Sequence, residues 1–128
     1  MGEMHVSDKP VVIAMHHPPM TTGIELIDMG GTDWYVGIKN VLARHAHVKL
    51  LICSHCPVDL CGRIGAVPVY MAPSTSHQLV GSRGNDIAPS AHVVPGTPVL
   101  HHFIDDTFLS GSHIWPSNIE NERIDTIS

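Results

Sequence analysis

Charge is scarce in this chain: 15% of its 128 residues are Asp, Glu, Lys or Arg, against about a quarter in an average soluble domain. The seven Lys and Arg are scattered and outnumbered by twelve Asp and Glu, for a formal net charge of −5. No basic stripe is available to neutralise a phosphate backbone, which excludes polymeric nucleic acid as the expected partner but leaves room for a small phosphorylated substrate. Aromatic residues are few, at 5%. No apolar run approaches the roughly 18 residues of a membrane span, so no membrane partner is expected. The opening stretch Met1 to Pro10 is polar, lacks the apolar segment of a secretory signal, and has Val6 where a myristoylation signal carries Ser or Thr. The expected compartment is therefore cytoplasmic. An even set of cysteines is also missing: there are three, concentrated between positions 53 and 61, a pattern that suits metal chemistry better than a disulfide framework.

What the chain has in excess is histidine, with eleven residues, the commonest metal ligand and the side chain that changes charge nearest neutral pH. A length of 128 residues fits one domain that hides about two-thirds of its unfolded surface. Val11 to Met15 is a continuous β-branched apolar run bounded by Pro10 and Pro18-Pro19, the mark of a strand buried on both faces. Thr21 to Thr32 is a Gly-rich loop long enough to carry function. Trp34, Ile38, Val41, Leu42 and His45 follow helical spacing, predicting one amphipathic helix from Asp33 to near His47 with Thr32 or Asp33 as its cap. Val48 to Cys53 predicts a second strand. Shorter strands are expected at Leu60 to Ile64, Val67 to Ala72 and Gln78 to Val80, then a surface excursion over Gly81 to Gly96. Val99 to Ile104 and Phe108 to Ile114 flank the turn Asp105-Asp106-Thr107 as a hairpin, and Pro116 to Ser128 is a polar tail. The fold class is α/β: strand, loop, helix, strand, followed by short β-strands and a terminal hairpin.

The pattern richest in chemistry is His16-His17-Pro18-Pro19 at one strand end and Ser54-His55-Cys56 at the next. Ligands in open α/β sheets collect at the carboxyl ends of strands, and two imidazoles from adjacent strand ends can grip one divalent ion. Prolines after the pair stiffen the loop that presents it. Cys53, Cys56 and Cys61 with His55 leave a zinc knuckle or a redox pair as less favoured alternatives, because structural zinc takes four ligands in separated pairs. His45 and His47 suit the end of a helix, where a partial negative charge gathers, and His101 and His102 a late strand. Glu25 and Asp28, in the Gly-rich loop, are open to an outer-shell role but are expected to be simply solvated. His77, after a short strand and a tight turn, is placed to point back toward the histidine pair.

The run Pro10 to Pro19, followed by Thr22-Gly23-Ile24 and Asp28, resembles a block of the calcineurin-like metallophosphoesterases of the cyclic-nucleotide and glycerophosphodiester type. Ile52-Cys53-Ser54-His55-Cys56-Pro57 falls where that family has Gly-His-x-His, and Leu60 to Gln78 is similar to the strand pair that follows it. The resemblance runs from about Pro10 to about Trp115, giving a partial phosphoesterase domain over 1–115 and a tail over 116–128. It implies the C-terminal half of a four-layer α/β/β/α sandwich that holds two divalent ions (Mn, Fe or Zn), which activate water to attack phosphorus. It further implies that His16 and His55 bind one of these metals, with His17 and His77 in the outer shell or against the phosphate. The family's Asp-x-His, Gly-Asp and Gly-Asn-His-Asp blocks have no counterpart here. Pro57 replaces the histidine that would serve the other metal, and Ser54 replaces a glycine. The expectation is a metal-dependent phosphodiester hydrolase for a cyclic nucleotide or similar small diester, present as a half-site with at most one ion partly preserved. The alternative is a non-catalytic binding or regulatory module on the same fold. The implied partners are a small phosphorylated substrate and either a second copy or an N-terminal half.

Overall fold

The computed structural model describes residues 9–56, 58–80, 90–93 and 96–112. Pro57, most of the excursion from Gly81 to Gly96, the end of the last strand expected at Ile114, and the tail over 116–128 lie outside them. Strands β1 (Val11–Met15), β2 (Val48–Cys53), β3 (Leu60–Ile64) and β4 (Val67–Met71) form one sheet in the order β1-β2-β4-β3. The β1–β2 and β2–β4 pairs are parallel and the β3–β4 pair antiparallel. The chain is thus mixed α/β, as its alternation of β-branched runs and helical spacing predicts. β3 and β4 join through Gly65-Ala66, where Gly65 takes φ +60 at no steric cost. Two further ribbons are antiparallel: β5 (Gln78–Val80) with β6 (Ser90–His92), and β7 (Val99–Ile104) with β8 (Thr107–Ser112). The β7–β8 turn is Asp105-Asp106, both left-handed at φ 48 and 62, a conformation short carboxylate residues tolerate better than most.

The expected helix from Asp33 to His47 is replaced by two pieces, a 3₁₀ turn at Asp33–Tyr35 and a helix at Ile38–Ala43. Gly37 lies between them beside β-branched Val36, and both are poor helix-interior residues. Neither piece has a side-chain cap, Thr32 included. The loop before them contains a one-turn helix α1 (Glu25–Asp28), so the six-residue helix is α2. Among the described residues no helix is long and apolar enough to cross a membrane.

One face of the sheet carries the core. Leu51, Cys53, Ile64, Val67, Val69 and Met71 pack with Leu42 of α2 and Ile24, and Ile13 and Met15 lean on the same cluster. Each such aliphatic side chain, once buried, contributes about 1.5–3 kcal/mol. Leu50 points to the other face and is 2% exposed; there β2 meets β8 and Tyr70 stacks on His101. Val11 to Met15, expected to be buried on both faces, is instead alternately half-buried and exposed. β1 is the sheet's edge, and Val12 stays 41% exposed beyond the reach of the hairpin.

Candidate metal centre

Because β1 and β2 run parallel with Met15 opposite Cys53, their carboxyl ends finish at one edge. The pairing continues one step further, Ser54 N–H donating to the His16 carbonyl at 3.1 Å. Ala72 N–H, just past β4, donates to the Cys53 carbonyl at 3.2 Å and ties a third strand end to the same place. Pro18 and Pro19 are both buried, so the turn that presents His16 and His17 is anchored in the core. On the other side, Cys56 is 1% exposed and its N–H donates to the Ser54 carbonyl at 2.6 Å. That tight loop holds His55 in the left-handed region at φ 62, a conformation costing a non-glycine residue on the order of 1 kcal/mol and clustering at functional sites.

The aim is toward the other two histidines. His55 Nδ1 lies 3.1 Å from His16 Nε2, the His17 and His55 rings are 4.2 Å apart, and ligand atoms of His16, His17 and His55 all fall within 4.8 Å of one another. A tetrahedral ion with Zn–N bonds of about 2.0–2.1 Å sets its donors about 3.3 Å apart. The donor type suits a divalent ion, and the His16–His55 pair at 3.1 Å has that spacing, whereas His17, with the trio spread over up to 4.8 Å, joins the same ion only by moving closer. Ser54 Oγ sits 3.3 Å from His16 Nδ1. The tautomer with hydrogen on Nδ1 donates to that hydroxyl and leaves the Nε2 lone pair facing His55, the way a ligand histidine is ordinarily oriented by its second nitrogen. Partial desolvation first, and the neighbouring His17 and His16 second, hold His55 below the usual imidazole value, which favours the neutral, ligating form.

Of the four histidines singled out from the sequence, three stand together and His77 stands apart. His77 shares an open cleft of ≈ 300 Å³ with His16 and His55, and its Nδ1 contacts Ser76 Oγ at 2.8 Å. A smaller cavity of ≈ 70 Å³ on the other side of His55 is walled by His17, Trp34 and Tyr35. Trp34, read from the sequence as part of a helix face, and Ser54, read as a glycine replacement, stand at the site in roles the sequence did not indicate. Asp28, expected to be solvated, accepts bonds from Thr22 N–H, Thr22 Oγ1–H and Gly23 N–H, each at 2.9 Å. Its carboxylate ties the Gly-rich loop beside the histidines. No periodic signal marks such a tie, though the Thr-Gly step six residues before an aspartate hints at it.

The thiols do not form a centre of their own. Burial first and Cys56 second push the Cys53 thiol up to about 11, so it stays protonated in the core, whereas Cys61 is exposed on β3. Among the described residues the one cluster of three potential ligands is the histidine trio. His45 and His47 stack edge to face on each other at 5.4 Å beyond the end of α2, and His101 bonds Ser110 Oγ at 2.7 Å within the hairpin.

No family model matches the chain. Over 106 residues it is 26% identical to a probable glycerophosphodiester phosphodiesterase GpdQ of Arcobacter nitrofigilis, covering 80% of this chain and 38% of the relative. The chain thus spans less than half the length of the curated relative it matches.

Proposed function

We propose that this chain is part of a metal-dependent phosphodiester hydrolase acting on a small diester, a glycerophosphodiester or a cyclic nucleotide, and that its histidine trio holds one divalent ion. The observation that carries the proposal is the convergence of His16, His17 and His55 within 4.8 Å at the carboxyl ends of two parallel strands, in a chain similar to a probable glycerophosphodiester phosphodiesterase. A divalent ion held there supplies Lewis-acid polarisation of a phosphoryl oxygen and a lowered pKa for water. His16 and His55 are the donors, His17 completes the set or meets the phosphate, and Ser54 fixes the His16 ring. His77 lines the same cleft as His16 and His55 and on this reading contacts a substrate oxygen. The exposed Val12 and the open edge of β1 suit a second polypeptide segment or copy, as half of a four-layer sandwich would require. The donor set among the described residues contains no carboxylate, and this favours a second reading, a binding module without turnover.

Zinc titration of the metal-stripped chain, followed by metal analysis after dialysis, tests the first reading. About one ion per chain is expected. It is lost in His16→Ala and His55→Ala and unchanged in Cys61→Ala. Two tightly retained ions, or binding that disappears only in Cys61→Ala, would overturn the ligand assignment.

A further inference from the structure

A cavity larger than those beside the histidines lies at the opposite end of the sheet, where the amino end of β2, the Gly65-Ala66 turn, helix α2 and the β7–β8 hairpin enclose ≈ 660 Å³. That volume lies within the range of roughly 300–1,000 Å³ usual for small-molecule sites. Its floor is apolar, including Val48 at 8% exposure, and Phe108 forms part of the hairpin wall. Its rim brings together Lys39, Lys49 and Arg63, with Asp106 as the opposing charge. In a chain that has seven Lys and Arg and a net charge of −5, three cations around one apolar hollow is a local reversal of sign. Lys49 is committed to Asp106 at 2.7 Å, but Asp106 is 73% exposed. Lys49 itself is 24% exposed, but a pair whose carboxylate is this open to solvent is screened and worth on the order of 1 kcal/mol, so a better-placed anion can displace it. Arg63 spends one N–H on the Ala66 carbonyl at 3.1 Å and keeps the rest of its fork, the group best shaped for a phosphate.

We infer that this cleft binds a small organic phosphomonoester, the phosphate held by Lys39, Lys49 and Arg63 and an apolar or planar body laid against Val48 and Phe108. The site does not depend on the metal centre, which lies at the other end of the strands. The test is isothermal titration calorimetry of the intact chain in excess EDTA with adenosine 5′-monophosphate as probe, beside inorganic phosphate and adenosine. Saturable binding with Kd below about 1 mM is expected for the nucleotide, and binding at least ~10-fold weaker for each half alone, since each lacks part of the contact. Lys39→Gln and Arg63→Gln are each expected to weaken the nucleotide ~10-fold or more, Arg63→Lys less so, and His16→Ala not at all. Because Arg63 also braces the turn, Lys39→Gln, on an exposed helix position, keeps the result readable if Arg63→Gln misfolds. Absence of saturation, wild-type affinity in Lys39→Gln, or a loss of affinity in His16→Ala would overturn the inference.

Discussion

His16 divides its two ring nitrogens between a hydroxyl and a neighbouring imidazole, with Ser54 Oγ at 3.3 Å and His55 Nδ1 at 3.1 Å. An ion can replace the second contact only if the first keeps the ring in place. Ser54→Ala is therefore expected to lower zinc affinity about 10-fold, at the modest end of losses seen when a ligand's outer partner is removed, with an unchanged circular dichroism spectrum. Competition against a chromophoric chelator measures it, and equal affinity in the two proteins would show that Ser54 positions nothing. His55 and His101 are both held below the ordinary imidazole value, His101 by burial. Such groups take up protons more readily in the unfolded chain. Their stabilising contribution is complete above the unfolded value of about 6.5 and is lost as pH falls through the lower folded values. Melting of the metal-free protein should accordingly shift to lower temperature as pH drops from neutrality, and His101→Asn should flatten that slope.

At the scale of elements, the loop between β1 and α2 is organised by one carboxylate rather than by helix. α1 has four residues and no side-chain cap, too short to be stable by itself, so Asp28 and its three bonds near 2.9 Å hold the turn closed. Hydrogen bonds to a charged acceptor contribute about 1.5–3 kcal/mol when sheltered and less when partly exposed, as here. Asp28→Ala is expected to lower the free energy of unfolding by about 1–2 kcal/mol in urea denaturation, and Asp28→Asn, which keeps one acceptor oxygen, by less. Wild-type stability in Asp28→Ala would mean that the loop closes by packing alone. The hairpin is tied to the sheet at both ends: Lys49 to Asp106 at 2.7 Å near its turn, and Ser112 to Asp59 at 3.2 Å near its open end. Asp59 also accepts from Tyr70 at 2.8 Å, which links the hairpin to β4.

For the whole molecule, the described residues give a sheet of four strands with β1 at its edge and a cluster of three imidazoles that includes no carboxylate. On the proposed reading, one ion on three neutral donors would lack the second charge that clamps both entering and leaving oxygens in two-metal phosphoryl chemistry. The isolated chain in excess manganese is expected to turn over bis(p-nitrophenyl) phosphate and 3′,5′-cyclic AMP well below 1 s⁻¹, the low end of typical enzymes at about 1–10³ s⁻¹. A rate at or above that value would show that the residues described here suffice for catalysis.

The sequence by itself determined the elements whose signals are local. β1 and β2 begin and end where their apolar runs do, and the adjacent Asp residues located the β7–β8 turn. β6 was not legible, because Ser90-Ala91-His92 is exposed throughout and has no alternation to read. Nor was the break in the helix at Gly37, and of the apolar set read there Trp34 and Val41 are exposed while Leu42 is buried. The strand-end pattern pointed to His16, His17 and His55, but the tertiary structure decided how closely they meet and left His77 apart. His16 and His55 are 39 residues apart, and their contact depends on β1 and β2 pairing in parallel at a register that local periodicity does not encode. It also depends on a left-handed His55 that the buried Cys56 enforces. The cleft at the far end has the same origin, for Lys39, Arg63 and Asp106 come from three separate elements. Strand identity follows from side-chain period along the chain, whereas sites follow from long-range packing, where each contact is fixed by residues far away in sequence.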